Sequence, residues 1–230
     1  MEIALNYIEK GVGFPLVLLH GNGENLEYFE HQISYFSSFY RVIAVDTRGH
    51  GKSPRGVAPF TINQFADDLK AFFDKLGIRK SHILGFSDGG NIALAFALKY
   101  GDHIEKMILN GANLSPGGVK RTVQLPICIE YGMSTLMELF GKNVIHKKEL
   151  LGLMVTQPDF TLGQLRAVDT RTLVLVGSRD MIKDKHSRLI ADNLKNGRYC
   201  CVEGTHFIAR ENPAAFNRAV EQFLREKPIT

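Results

Sequence analysis

Ser81-His82-Ile83-Leu84-Gly85-Phe86-Ser87-Asp88-Gly89, with the apolar run 91–98 behind it, decides how this chain folds. Its first half is an apolar strand and its sequel a helix. The serine between them is flanked by glycines two residues away on each side, the G-x-S-x-G pattern of a nucleophile elbow. Such a serine is held in a strained backbone conformation, and bulkier neighbours would collide with the adjoining strand and helix. Three fixed positions in five arise easily by chance in a chain with 22 glycines. The reading therefore requires a base, an acid and an oxyanion site elsewhere.

Outward from the elbow, strand-like and helix-like segments alternate, as in a mostly parallel sheet covered on both faces. Residues 4–9 read as an opening strand, turned through Gly11 and Gly13 into a second at 15–19. Strands follow at 41–45, 81–84, 106–109, 172–176 and 198–202, about seven in all by this pattern. Helices are expected at 27–36, 61–76, 184–194 and 213–225. Ile62, Phe65, Leu69, Phe72, Phe73 and Leu76 give the second its apolar face, and Gly77 ends it. Between 113 and 168 the alternation fails. Helical stretches at 125–140 and 147–155, interrupted by Gly132, Gly141 and Gly152, read as a small helical cap inserted between two strands of a single 1–230 domain.

Three loops at strand ends carry the remaining chemistry. His20-Gly21-Asn22-Gly23 follows the second strand, where a turn can aim a backbone N–H at a developing oxyanion; a tight turn without a ligand fits the same residues. The expected donors are the N–H groups of Asn22 and of Asp88, at the start of the helix after Ser87. Asp180 and His206 follow the last two strands, on the sheet edge where sites collect. Serine is a poor nucleophile alone, so His206 would take its proton and Asp180 would orient the imidazole. Asp184 is the alternative acid, but it reads as a helix-start residue.

Taken together, His20-Gly21-Asn22-Gly23, the loop Asp46 to Ser53, Gly85-Phe86-Ser87-Asp88-Gly89-Gly90, Gly177-Ser178-Arg179-Asp180 and Gly204-Thr205-His206-Phe207 resemble the α/β-hydrolase fold family with a cap. The resemblance spans nearly the whole chain in family order. It implies an α/β-hydrolase fold with the triad Ser87, Asp180 and His206, and no metal or organic cofactor. It implies a structural role for the loop holding His50, and a packed, hydrogen-bonded role for His20. Ser87 argues against the related haloalkane dehalogenases, which use a carboxylate. The elbow is similar to that of biphenyl-hydrolase-like (valacyclovir-hydrolase-type) proteins, whose members favour amino-acid esters.

On that basis Asp88 has two readings: favourable electrostatics in the first turn of a helix, or a carboxylate facing the cleft that attracts a substrate ammonium. Phe86, Met133, Met137, Phe140 and Met154 are expected either to line an acyl pocket or to pack within the cap. Two departures from the family pattern are the scant sequence before residue 4, which leaves out an opening edge strand, and the short cap.

Bulk properties narrow the function classes. A net charge of +4, scattered along 230 residues, gives no basic stripe for nucleic acid. No secretory signal opens the sequence and no apolar run reaches the ~20 residues that span a bilayer. Cys128, Cys200 and Cys201 have neither a disulfide framework nor metal-ligand spacing. The expectation is a cytoplasmic hydrolase of small carboxylic esters or related acyl compounds, with a small-molecule substrate and neither nucleic-acid nor membrane partners. Cofactor-free perhydrolase or haloperoxidase, lactonase and thioesterase chemistry would use the same triad. A non-catalytic ligand receptor on this fold is the alternative of another class.

Overall fold

Residues 3–226, which the computed structural model describes, contain seven strands. They are β1 (Tyr7–Lys10), β2 (Pro15–Leu19), β3 (Arg41–Val45), β4 (Ser81–Phe86), β5 (Ile104–Asn110), β6 (Arg171–Gly177) and β7 (Gly197–Val202). They form one sheet in the order β1-β3-β2-β4-β5-β6-β7, with β1 antiparallel to β3 and every other pair parallel. The helices are α1 (Glu30–Phe36), α2 (Ile62–Lys75), α3 (Asp88–Tyr100), α4 (Arg121–Leu139), α5 (Ile145–Thr156), α6 (Leu162–Ala167), α7 (Asp184–Asn193), α8 (Ile208–Glu211) and α9 (Pro213–Arg225).

Successive strand residues point to opposite faces, so each strand feeds two cores. Leu16 and Leu18 of β2 pack in one cluster with Phe36 of α1 and Phe216, Val220 and Phe223 of α9. Val17 and Leu19 face the other, with Phe65 and Leu69 of α2 and Ile92 and Phe96 of α3. All six residues of β4 are buried, as befits a strand covered on both faces. This is the mostly parallel, helix-flanked sheet with a smaller helical cap that the alternation predicts.

Element ends differ from expectation for local reasons. The first strand begins at Tyr7 rather than residue 4, because the Asn6 N–H is taken by Ser53 Oγ at 2.8 Å instead of a ladder partner. The helix expected at 27–36 is a 3-10 turn, Leu26–Phe29, leading into α1, and the Asn25 side chain caps the turn through the Glu27 N–H. In the cap, α4 starts at Arg121 and continues through Pro126 and Gly132, and α5 continues through Gly152. Pro126 lies early in α4 and forfeits one helical hydrogen bond, which a 19-residue helix tolerates. Of the three expected glycine breaks, the one at Gly141 is seen, with φ of 72° just past the end of α4. α6, unmarked in the apolar pattern, is started by a capping box between Thr161 and Gln164.

Candidate active site

Register brings the elements' carboxyl ends level. Leu19 pairs with Gly85, Phe86 with Asn110, and Gly177 with Val202. The loops after β2, β4, β5, β6 and β7 therefore emerge on one sheet edge, carrying Asn22, Ser87, Gly111, Asp180 and His206. Ser87 has φ of 52°, and among the described residues it is the one non-glycine with positive φ. Holding it there costs ~1–3 kcal/mol. Its N–H donates to the Asn110 carbonyl at 2.7 Å, and its own carbonyl accepts from the N–H groups of Gly90 and Asn91 as α3 begins. A Cβ on Gly85 would run into the Gly89 backbone, and one on Gly89 into the Leu19 carbonyl. Those clashes are the physical content of the flanking glycines.

His206 and Asp180 are both buried, and His206 Nδ1 lies 2.7 Å from Asp180 Oδ1. A carboxylate oxygen accepts, so Nδ1 is the donor. Nε2 is buried with no hydrogen-bond partner among the described residues, which leaves it available to a hydroxyl. Burial pushes the Asp180 carboxyl up, but the hydrogen bond and charge of His206, with the N–H groups of Ile182 and Gly177, outweigh it and hold Asp180 below its ordinary value. Asp184 sits away from this pair, accepting from Tyr199 and Arg188 at the exposed start of α7.

Beside Ser87 a small cavity of about 20 Å³ is walled by Asn22, Asp88, Asn113, Met154 and Gln157, with Val119, Met181 and Ile182 on its apolar side. One water needs ~10–15 Å³, so this space holds about one. Asp88 Oδ2 accepts from Asn22 Nδ2 at 3.0 Å, and Oδ1 from Asn91 Nδ2 at 3.1 Å. Asn91 is tied in turn to Asn113. Among the described residues no Lys or Arg pairs with Asp88, and the charge that acts on it is that of His206 when protonated. Burial raises its carboxyl pKa against the two amide hydrogen bonds. Among the described residues, neither the Asn22 nor the Asp88 N–H is engaged by a backbone acceptor.

Of the other predicted pocket residues, Met154 reaches this cavity. Phe86 does not line it; its ring is stacked on Tyr28 at 4.1 Å and lies 4.9 Å from that of His206. Met133, Met137 and Phe140 are on the exposed face of α4 and its end, and are not brought to Ser87. His50 is packed against His20 and donates from Nδ1 to the Arg48 carbonyl, while buried Arg48 is held by Asp68. A larger open groove of about 660 Å³ lies at the opposite ends of β4 to β6, among Lys80, His103, Glu105 and Arg171; it contains none of these groups.

Gly111, Asn91, Asn113 and Gln157 belong to this neighbourhood without being among the candidates marked in the sequence. Gly111 and Asn113 carried a usable signal, since they follow β5 on the same edge as the other loops. Asn91 lies inside an apolar helix run and Gln157 in a cap loop, and neither position has a marking pattern.

The family described as the alpha/beta hydrolase fold matches residues 15–153, more than half of the chain. The chain belongs to that family. This α/β-hydrolase is 25% identical, over 97% of its length and 94% of the relative's, to a 3-oxoadipate enol-lactonase 2 of Acinetobacter baylyi. It is 30% identical to a 2-hydroxy-6-oxononadienedioate/2-hydroxy-6-oxononatrienedioate hydrolase of Paraburkholderia phymatum, over 83% of this chain and 66% of that one. Among solved structures, the enol-lactonase of Burkholderia xenovorans superposes with a TM-score of 0.82 at 21% identity, over 97% of both chains. At the level these relatives share, the α/β-hydrolase is an enzyme, a serine hydrolase of small acyl compounds. Among its described residues no helix is long and apolar enough to cross a membrane.

Proposed function

We propose that this α/β-hydrolase cleaves small carboxylic esters through an acyl-enzyme on Ser87, with His206 as base and Asp180 as its orienting acid. The observation that carries the reading is the free Nε2 of a buried His206 whose Nδ1 is fixed by Asp180, on the same sheet edge as a strained serine. Ser87 Oγ attacks the ester carbonyl and gives its proton to His206 Nε2. The oxyanion is met by the N–H groups of Asn22 and Asp88, and collapse returns the proton to the departing alcohol. Water repeats the sequence on the acyl-serine and releases the acid. Residues 113–168 act as the cap over this centre. A reducing, cytoplasmic setting agrees with three unpaired cysteines. The decisive assay is p-nitrophenyl acetate hydrolysis by wild type and Ser87→Ala. Loss of at least ~10³-fold is expected from removing the nucleophile, and equal rates would remove Ser87 from the mechanism.

Within that reaction class, an acyl group bearing an ammonium is the preferred substrate. The support is Asp88, a buried carboxylate on the wall beside Ser87 with amide partners and, among the described residues, no Lys or Arg paired with it. An anion left so is costly, and an ammonium would offset that cost. An alanine ester should therefore be cleaved faster than its N-acetylated form. Equal kcat/KM for the two, unchanged by Asp88→Asn, would sink the preference. A lactone is the second reading, favoured by the similarity to the Acinetobacter enol-lactonase over nearly the whole chain. The same triad would open it without releasing a separate alcohol.

A further inference from the structure

His20 is buried directly after β2, and its two ring nitrogens have different obligations. Nε2 lies 3.0 Å from the backbone N–H of Thr47, a donor, so Nε2 is the unprotonated nitrogen. Nδ1 lies 2.7 Å from the carbonyl oxygen of Gly21, an acceptor, so Nδ1 carries the proton. The two contacts together select one neutral tautomer. Burial, with the nearby His50, lowers the His20 pKa to about 4, so the neutral ring persists at physiological pH.

The bond to Gly21 has a geometric consequence. In a trans peptide the C=O and the following N–H point in opposite directions. Anchoring the Gly21 oxygen, which also accepts the Glu24 N–H at 3.2 Å, thus sets the direction of the Asn22 N–H. That peptide abuts the elbow: a Cβ on Gly21 would stand 3.2 Å from Ser87 Cβ and 3.0 Å from the Phe86 ring. A flip of this peptide turns ψ of Gly21 and φ of Asn22, and glycine, lacking a Cβ, leaves the first of these rotations little restrained. We propose that His20 is a positioning residue, whose Nδ1–H locks the Gly21–Asn22 peptide with its N–H turned toward the carbonyl oxygen of substrate on Ser87. The Thr47 N–H at the end of β3 sets the tautomer that makes this possible. The inference rests on the reading of Asn22 as an oxyanion donor.

Asparagine can place an amide N–H near the position of Nδ1, and leucine cannot donate. His20→Leu should lower kcat on p-nitrophenyl acetate by ~10²-fold, the scale of one lost oxyanion donor, with KM within about three-fold. Binding of a boronic acid that forms the tetrahedral serine adduct should weaken in step. His20→Asn should recover kcat to within about ten-fold of wild type, although both variants lose the ring that accepts the Thr47 N–H. A merely structural histidine predicts equal losses in the two variants, and that result overturns the proposal. So does a wild-type imidazole nitrogen NMR spectrum with His20 protonated on Nε2. Should His20→Leu fail to fold, His20→Gln replaces it, because its amide reaches the ε position instead; the same outcomes apply. Activity retained by Ser87→Ala would instead bring down the hydrolase reading. An inactive Ser87→Ala beside a fully active His20→Leu would bring down the His20 assignment alone.

Discussion

Gly111 lies against the imidazole of His206 so closely that a Cβ built on it would stand 2.5 Å from Cε1 and 2.8 Å from Nδ1. Its φ of 65° is also in the region that side chains resist, at ~1–2 kcal/mol. Gly111→Ala should therefore push the ring off Asp180 as well as strain the β5 loop. The expected result is a ~10²-fold or larger fall in kcat with a lowered Tm. A variant with wild-type kcat would show that the ring moves freely without loss of its role.

The Asp180–His206 pair makes a paired prediction on rate and stability. Asp180→Asn keeps the shape but offers His206 the wrong tautomer, and kcat should drop ~10⁴-fold. The folded-state pKa of Asp180 lies below its ordinary 3.8. A depressed carboxyl contributes stability that is complete above the unfolded value and is lost as pH falls through the folded one. Denaturant unfolding should thus show a wild-type advantage over Asp180→Asn at pH 7 that shrinks below pH 3.8. An advantage independent of pH would mean that the carboxylate's charge contributes nothing to the folded state.

Much of this arrangement is legible in sequence because catalysis by a serine constrains short segments. Gly85 and Gly89 are needed by backbone collisions within five residues, and the loops of Asp180 and His206 each follow an apolar strand directly. Gly111 answers to a ring 95 positions away along the chain, and so shows no local pattern. The Asn22–Asp88–Asn91–Asn113 chain is assembled from two separate loops and the first turn of α3. Gly132 and Gly152 mislead in the other direction. Glycine costs a helix only ~1 kcal/mol, and tertiary packing of α4 against α5 absorbs it. The outward face of α4, with Ile129, Met133, Leu136 and Phe140 exposed, shows why apolar cap residues alone did not identify the pocket.

Asp88 should make function and stability pull in opposite directions. Burial raises its carboxyl pKa, so the folded state favours the neutral form. Such a group contributes stability below its unfolded pKa and loses it as pH rises through the folded value. The stability of Asp88→Asn relative to wild type should therefore improve as pH rises above 3.8, whatever the baseline change in hydrogen bonding. Above the folded value, where Asp88 is ionised, the wild-type preference for alanine esters over N-acetylated esters should be absent in Asp88→Asn. A stability difference that stays flat with pH would argue that Asp88 is as well solvated by its asparagines as by water.

The cavity beside Ser87 holds about one water, so a substrate acyl group needs more room than its walls leave in this conformation, and a shift of the cap is the expected source of it. Two contacts hold α5 down near the cavity: Asn22 Nδ2 donates to the Leu150 carbonyl at 2.8 Å, and Arg55 pairs with Glu149. The ion pair is partly exposed, a class worth ~0.2–1 kcal/mol, or up to about five-fold in an opening equilibrium. Arg55 makes no hydrogen bond to Ser87, Asp180 or His206 among the described residues, although its contacts to the Ala58 carbonyl and the Phe60 ring are lost with it. Glu149→Gln weakens the same tether while sparing those contacts. In both variants kcat/KM for a bulky ester, divided by that for the acetate, should rise several-fold. A ratio unchanged in Glu149→Gln would mean that α5 is not the part of the cap that opens.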